Sequence, residues 1–142
     1  MSTQPAYAAA PVVGVANFNT ANTNRDGTGS IAQLIVGRLP GTRIERVNIR
    51  ATAATTAGMI RIYHKLSGLT LNTDGTINSF SAAQWRLIHE IPVSAITPAA
   101  AVEAFSAEWA PTNGFNLGPF EQLGVSTHNG ETFNAIARGG LL

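Results

Sequence analysis

Arg43-Ile44-Glu45-Arg46-Val47-Asn48-Ile49-Arg50 decides the fold class. From Arg46 onward, polar side chains alternate with Val47 and Ile49, and a two-residue period places every second side chain on one face of a strand. Val47 and Ile49 then meet a core while Arg46, Asn48 and Arg50 face away from it. Ile44 breaks that phase. A β-bulge near Glu45 would absorb the break, because one inserted residue shifts the alternation by one. Pro40-Gly41, a turn dipeptide, leads into the run.

The same period recurs on both sides. Met59 to His64 sets Ile60 and Ile62 on one face, and Trp85 to Ile91 keeps Trp85, Leu87 and Ile91 in phase, with Pro92 near its end, where a missing N–H is tolerated. The apolar run Ile31 to Val36 follows the turn Arg25-Asp26-Gly27-Thr28-Gly29. Leu69 to Thr73 and Thr76 to Phe80 flank Asp74-Gly75, a favoured two-residue turn, and predict a surface hairpin. Val102 to Trp109 has helix-forming Ala and Glu but is read as a strand, and Pro111 to Pro119 as a turn-rich loop. Gln122 to Thr127 and Thr132 to Arg138 flank Asn129-Gly130, the strongest short-range hairpin signal in the chain. Seven or eight short, regularly spaced strands predict an all-β fold: an antiparallel β-sandwich, jelly-roll-like, over residues 29–142. Its expected core is Ile31, Leu34, Val47, Ile49, Ile60, Ile62, Leu87, Ile91, Val125 and Phe133.

Residues 1–28 are expected to form an extended N-terminal arm. Pro5, Pro11 and the Asn/Thr series from Asn17 to Asn24 offer no helical face, since Asn and Thr compete locally for backbone hydrogen bonds. Val12, Val13, Val15 and Phe18 are its only anchors, too few to order it alone, and are therefore expected contacts with a neighbouring chain.

Composition narrows the function. Only 12% of the 142 residues are charged, against about 25% in typical soluble domains, while 44% are hydrophobic. Nine basic and eight acidic residues give a net charge of +1, too balanced for affinity built on phosphate neutralisation. Residues 1–24 contain no Lys or Arg, which speaks against an RNA-packaging arm; nucleic acid is not an expected partner. The absence of cysteine excludes disulfides and thiolate chemistry. The opening lacks a secretory signal's basic start, and no run approaches the roughly 18 apolar residues of a membrane span, so a soluble intracellular product with no membrane partner is expected. A mild Ala/Thr/Asn/Gly surface can be buried against other subunits without desolvating many charges, which favours an assembly component over an enzyme.

No constellation of residues carries a reaction. His64, His89 and His128 are scattered, without the spacing that brings metal ligands together, and are expected to be hydrogen-bonded locally. Glu103 and Glu108 lie five apart and Glu90 alone, so no acid/base pair is marked. Arg25 to Gly29 lacks the Lys-Ser/Thr of a phosphate loop. No catalytic residue, metal ligand or cofactor is therefore expected. Arg43, Arg46, Arg50 and Arg61 form the densest basic group; the first three are candidate interface residues, because Arg suits buried bidentate pairing. Trp85 and Trp109 are expected in the core.

Five stretches carry a resemblance: Ala21 to Gly29, Gly41 to Ile49, Thr55 to Ile62, Leu87 to Val93 and Ser126 to Asn134. Across residues 20–140 the chain resembles small virion structural proteins of tailed bacteriophages and prophages, β-rich modules that decorate heads or build tails. The resemblance implies a homo-oligomeric decoration or head-auxiliary protein, bound to copies of itself and to the major capsid protein or another virion protein, located in the virion and assembled in the host cytoplasm. A tail, collar or fibre component is the alternative. A small carbohydrate-binding β-module, using Trp85 or Trp109, is the non-structural rival.

Overall fold

A bulge at Glu45 organises the longest strand of the computed structural model, which describes residues 10–66, 69–71, 73–74, 77–80 and 85–142. Among the described residues the strands are β1 (Pro11–Phe18), β2 (Ala32–Val36), β3 (Thr42–Ala51), β4 (Gly58–Lys65), β5 (Leu69–Leu71), β6 (Ile77–Phe80), β7 (Trp85–Val93), β8 (Ser106–Trp109), β9 (Phe115–Leu117), β10 (Gln122–Thr127) and β11 (Phe133–Leu141). In β3, Arg46 pairs with Arg138 and Ile44 with Gly139, leaving Glu45 as the extra residue. The bulge lets Ile44 and Val47, three apart, both point inward.

Two antiparallel sheets pack face to face. One has the order β1-β11-β3-β8, with β9 also on β3; the other is β2-β10-β4-β7. The pairs β4–β7, β3–β8, β2–β10 and β1–β11 are nested in sequence, so the chain is a long hairpin rolled into a jelly roll. No helix occurs among the described residues, so none there is long and apolar enough to cross a membrane. β5 and β6 pair as a separate ribbon, the expected hairpin; Gly75 of its turn lies outside the described residues.

Eight of the ten expected core residues are buried: Leu34, Val47, Ile49, Ile60, Ile62, Ile91, Val125 and Phe133. Ile31 and Leu87 are only half-buried. Ile44, Leu117, Leu123, Ala135 and Ala137 complete the interior, where Phe133 stacks on Phe18 at 5.6 Å between ring centroids and takes Phe105 edge-on at 6.3 Å.

Other elements differ from expectation. The extended arm does not reach residue 28: from Pro11 the chain is β1, laddered along β11 from Gly140 to Phe133. Its ordering comes from that ladder as much as from side-chain burial, and the inward Val12 and Phe18 are core residues rather than contacts for a neighbour. The strand read over Val102 to Trp109 begins only at Ser106, after a loop closed by the Ala99–Val102 bridge. The loop over Pro111 to Pro119 contains β9, whose three residues are too few for a visible period.

Candidate interaction surfaces

The two sheets treat their outer faces differently. On the β2-β10-β4-β7 sheet, Arg61 and Tyr63 point away from the core, as alternation requires, yet both are fully buried. The segment between β1 and β2 covers them. Asn22 holds that segment in shape: its amide nitrogen donates to the carbonyls of Thr28 and Ser30, both at 3.0 Å, and its amide oxygen accepts from Asn24 N–H. Gly27 and Gly29 sit at φ +87° and +83°, which glycine adopts without strain.

Arg61 bolts the cover down. Its Nε donates to Glu90 Oε1 at 3.0 Å and its Nη1 to the Asn22 carbonyl at 3.0 Å, while Nη2 lies 3.4 Å from His128 Nδ1. Arg25, on the cover itself, reaches the same Glu90 oxygen at 2.6 Å, and Tyr63 Oη donates to the Asn24 carbonyl at 2.8 Å. Arg25 foremost, then Arg61, hold the Glu90 carboxyl below its ordinary value of 4.5, against partial burial. Thr28, through its hydroxyl and N–H, likewise lowers the Asp26 carboxyl. Trp85 closes the end of this layer, its ring so near Gly124 that any side chain there would strike it, with Lys65 Nζ 5.5 Å from its centroid.

The outer face of the β1-β11-β3-β8 sheet has no covering segment among the described residues. Register places Val13 beside Arg138, Val15 beside Ile136 and Asn17 beside Asn134; next come Arg46, Asn48 and Arg50 of β3, then Glu108 and Ser106 of β8. Val13 and Val15 are 57% and 67% exposed. Arg46 meets Glu108 at 3.9 Å, a contact of little energetic worth at this exposure, and no ion pair reaches Arg50 or Arg138 among the described residues. A shallow depression of about 610 Å³ lies between β3, β8 and β11. The structure thus brings Val13, Val15, Arg46 and Arg50 of the expected interface set onto one surface. Arg43 is half-buried and bound to Glu45 at 2.8 Å, and Arg61 belongs to the covered face.

His64 and His89 each lie against a side chain of another element. His64 Nε2 lies 3.2 Å from Glu121 Oε2. His89 stacks on Trp109 at 5.6 Å, and Trp109 leans on Phe115 at 5.9 Å. Of the two tryptophans expected in the core, Trp109 packs against it and Trp85 does not. Trp109 is half-buried with one ring face covered by His89, and Trp85 packs outside the sheet. No group of three His, Asp or Glu among the described residues is placed to hold a metal ion. Compared with protein-family models and with curated proteins, the chain matches none.

Proposed function

We propose that this protein is a non-enzymatic structural subunit of a bacteriophage virion: a capsid decoration or head-auxiliary protein that stabilises the particle through contacts with copies of itself and with the major capsid protein. The observation that carries this reading is the outer face of the β1-β11-β3-β8 sheet, uncovered among the described residues, where Val13 and Val15 stand in water beside Arg46, Arg50 and three asparagines. Its sister face is covered by the 13-residue segment between β1 and β2, residues 19–31. A sheet face left without such cover in a low-charge protein suits burial by a neighbouring subunit. Covering Val13 and Val15 contributes about 1–2 kcal/mol each, scaling the full burial of a valine by their exposure. The jelly roll, a fold common in capsid proteins and lectins alike, supports the same reading, and the engagement of Trp109 by His89 favours it over sugar binding.

The test is localisation. Particles purified from the source phage or induced prophage are expected to contain the protein by mass spectrometry and to show jelly-roll density on the head by electron microscopy. Attachment by apolar burial should survive about 1 M salt, where the screening length falls to about 3 Å. Release at that salt would assign attachment to Arg46 and Arg50; density confined to the tail would make the protein a tail, collar or fibre component; absence from particles would end the structural reading.

A further inference from the structure

The loop that joins β7 to β8 projects a knob. Its ends are pinned: Thr55 and Ile96 exchange backbone hydrogen bonds at 2.8 and 3.1 Å, and Ala51 N–H donates to the Phe105 carbonyl at 2.8 Å. Between those pins Ala99 and Val102 also exchange a pair, at 3.0 and 3.1 Å, which closes a tight turn around Ala100 and Ala101. Ala99, Ala100, Ala101, Val102 and Glu103 are all exposed. Four consecutive apolar side chains held in water on a braced turn serve no interior of their own, and alanine loses no side-chain freedom when it is covered. Glu103 ends the run with a free charge: among the described residues no hydrogen bond or ion pair reaches its carboxylate.

The outer face of the β1-β11-β3-β8 sheet has the complementary character. Val13, Arg138 and Arg46 form one row across three of its strands. Like charges directly opposite each other on neighbouring strands are destabilising, and the one carboxylate near this arginine pair, Glu108, meets only Arg46, at 3.9 Å. A second carboxylate set on Arg138 would relieve the pair. Val13 stands next to Arg138, and Val15 lies two residues further along β1 on the same side, so an apolar knob with a carboxylate at one end fits the row. The chain cannot supply this cover to its own Val13. The knob adjoins β8 at one margin of the sheet, and Val13 lies on β1 at the other, three strand spacings or about 14 Å away.

We propose that the turn at residues 99–103 of one copy packs on this face of a second copy, with Ala100, Ala101 and Val102 over Val13 and Val15 and the Glu103 carboxylate on Arg138. The proposal rests on the assembly reading and deepens it, naming the chain's own turn as the cover of the open face.

Because the chain has no cysteine, disulfides report the contact without interference. The purified full-length chain carrying Val13→Cys and Val102→Cys is oxidised at micromolar concentration and run on a non-reducing gel. Disulfide-linked multimers are expected, at least tenfold more abundant than for either single-cysteine variant or for Leu39→Cys with Val102→Cys, Leu39 being exposed away from the face. Adding Arg138→Glu, with circular dichroism confirming the fold, should cut the multimers several-fold. Adding Glu103→Arg to that variant should restore them, because the reversed pair is complementary again. No multimers, a yield equal to that of the Leu39 pair, an undiminished yield in Arg138→Glu, or no recovery in the reversed pair would overturn the proposal. So would loss of particle attachment in Arg138→Glu without any linkage in solution, which would assign the face to another virion protein. Since the gel uses purified protein alone, its failure leaves the virion reading standing, and absence from particles leaves the crosslink standing.

Discussion

Replacing Glu90 by Ala tests whether the covered face is held by a buried charge. Arg61 is wholly inaccessible to water, and Glu90 is the carboxylate paired with it. Breaking a buried ion pair from one side typically costs about 3–5 kcal/mol, because the other charge stays buried without compensation. Here the Glu90 side chain is 31% exposed, so water can enter the space it leaves, and Arg61 keeps its bond to the Asn22 carbonyl. The expected cost is therefore lower, about 2–3 kcal/mol. With an unfolding entropy of about 2.1 cal/mol/K per residue, or about 0.3 kcal/mol/K for 142 residues, the melting temperature should fall by about 7–10 °C. Thermal melts and urea titrations read this directly. The companion variant carries Glu90→Ala with Arg61→Met, which removes the stranded charge while keeping most of the volume. It should be at least about 1 kcal/mol more stable than the sum of the two single changes. A Glu90→Ala cost under about 1 kcal/mol, or strict additivity, would refute the account of Arg61 as the bolt.

Acid should loosen the same cover. Glu90 and Asp26 are held below their ordinary values, so the folded state binds fewer protons and their contribution is present above the unfolded pKa and lost as pH falls through the folded one. Melting temperature is expected to be flat down to about pH 5 and to drop below it, with a shallower drop in Glu90→Gln. Ile62→Ala, at a position with no exposure, should cost about 2–5 kcal/mol by urea denaturation; a near-neutral effect would take Ile62 out of the core. Gly139→Ala puts a methyl group into the Arg43 carbonyl opposite the Glu45 bulge and should cost at least about 2 kcal/mol, with loss of amide protection along β3 and β11. Deleting residues 1–9 should leave a cooperative melt, whereas deleting 1–18 removes β1 with Val12 and Phe18 and should abolish it.

Where one face of a strand meets the core and the other meets polar surroundings, the sequence reads clearly. β3, β4 and β7 show the alternation, and Ile44 betrays the bulge because a single inserted residue is the cheapest way to bring it inward. β1 is hidden for the opposite reason. Its inward positions are Val12, Gly14, Ala16 and Phe18, and its outward ones include Val13 and Val15, so small and apolar residues fall on both faces and no period emerges. Gly14 is small because β2 lies against it, a demand set by a strand 18 residues later in the chain and invisible locally. Of the candidate surface, the stretch Arg46 to Arg50 was legible as one strand face; its union with Val13 and Val15 depends on the β1–β11–β3 register, which only the folded chain supplies.

Arg61 shows why alternation alone cannot separate a solvated face from a covered one. Arg50 and Arg61 both occupy outward positions flanked by inward apolar residues. The first is exposed and the second sealed, because the segment between β1 and β2 folds over one sheet and nothing among the described residues folds over the other. The turn at Asp26, Gly27 and Gly29 was plain, but a turn-rich segment does not announce the surface it will lie on, and the part Asn22 plays in shaping the cover appears only in the fold. Sealing a charge in this way requires Glu90, the Asn22 carbonyl and a shaped loop, all present on the β4 side. On the β3 side Arg50 has neither a carboxylate within reach nor a covering loop among the described residues, and whatever subunit covers that face must bring acceptors for its guanidinium. A partner surface offering carboxylates or carbonyls opposite Arg50, and small apolar groups opposite Val13 and Val15, would complete there what the chain completes for itself around Arg61.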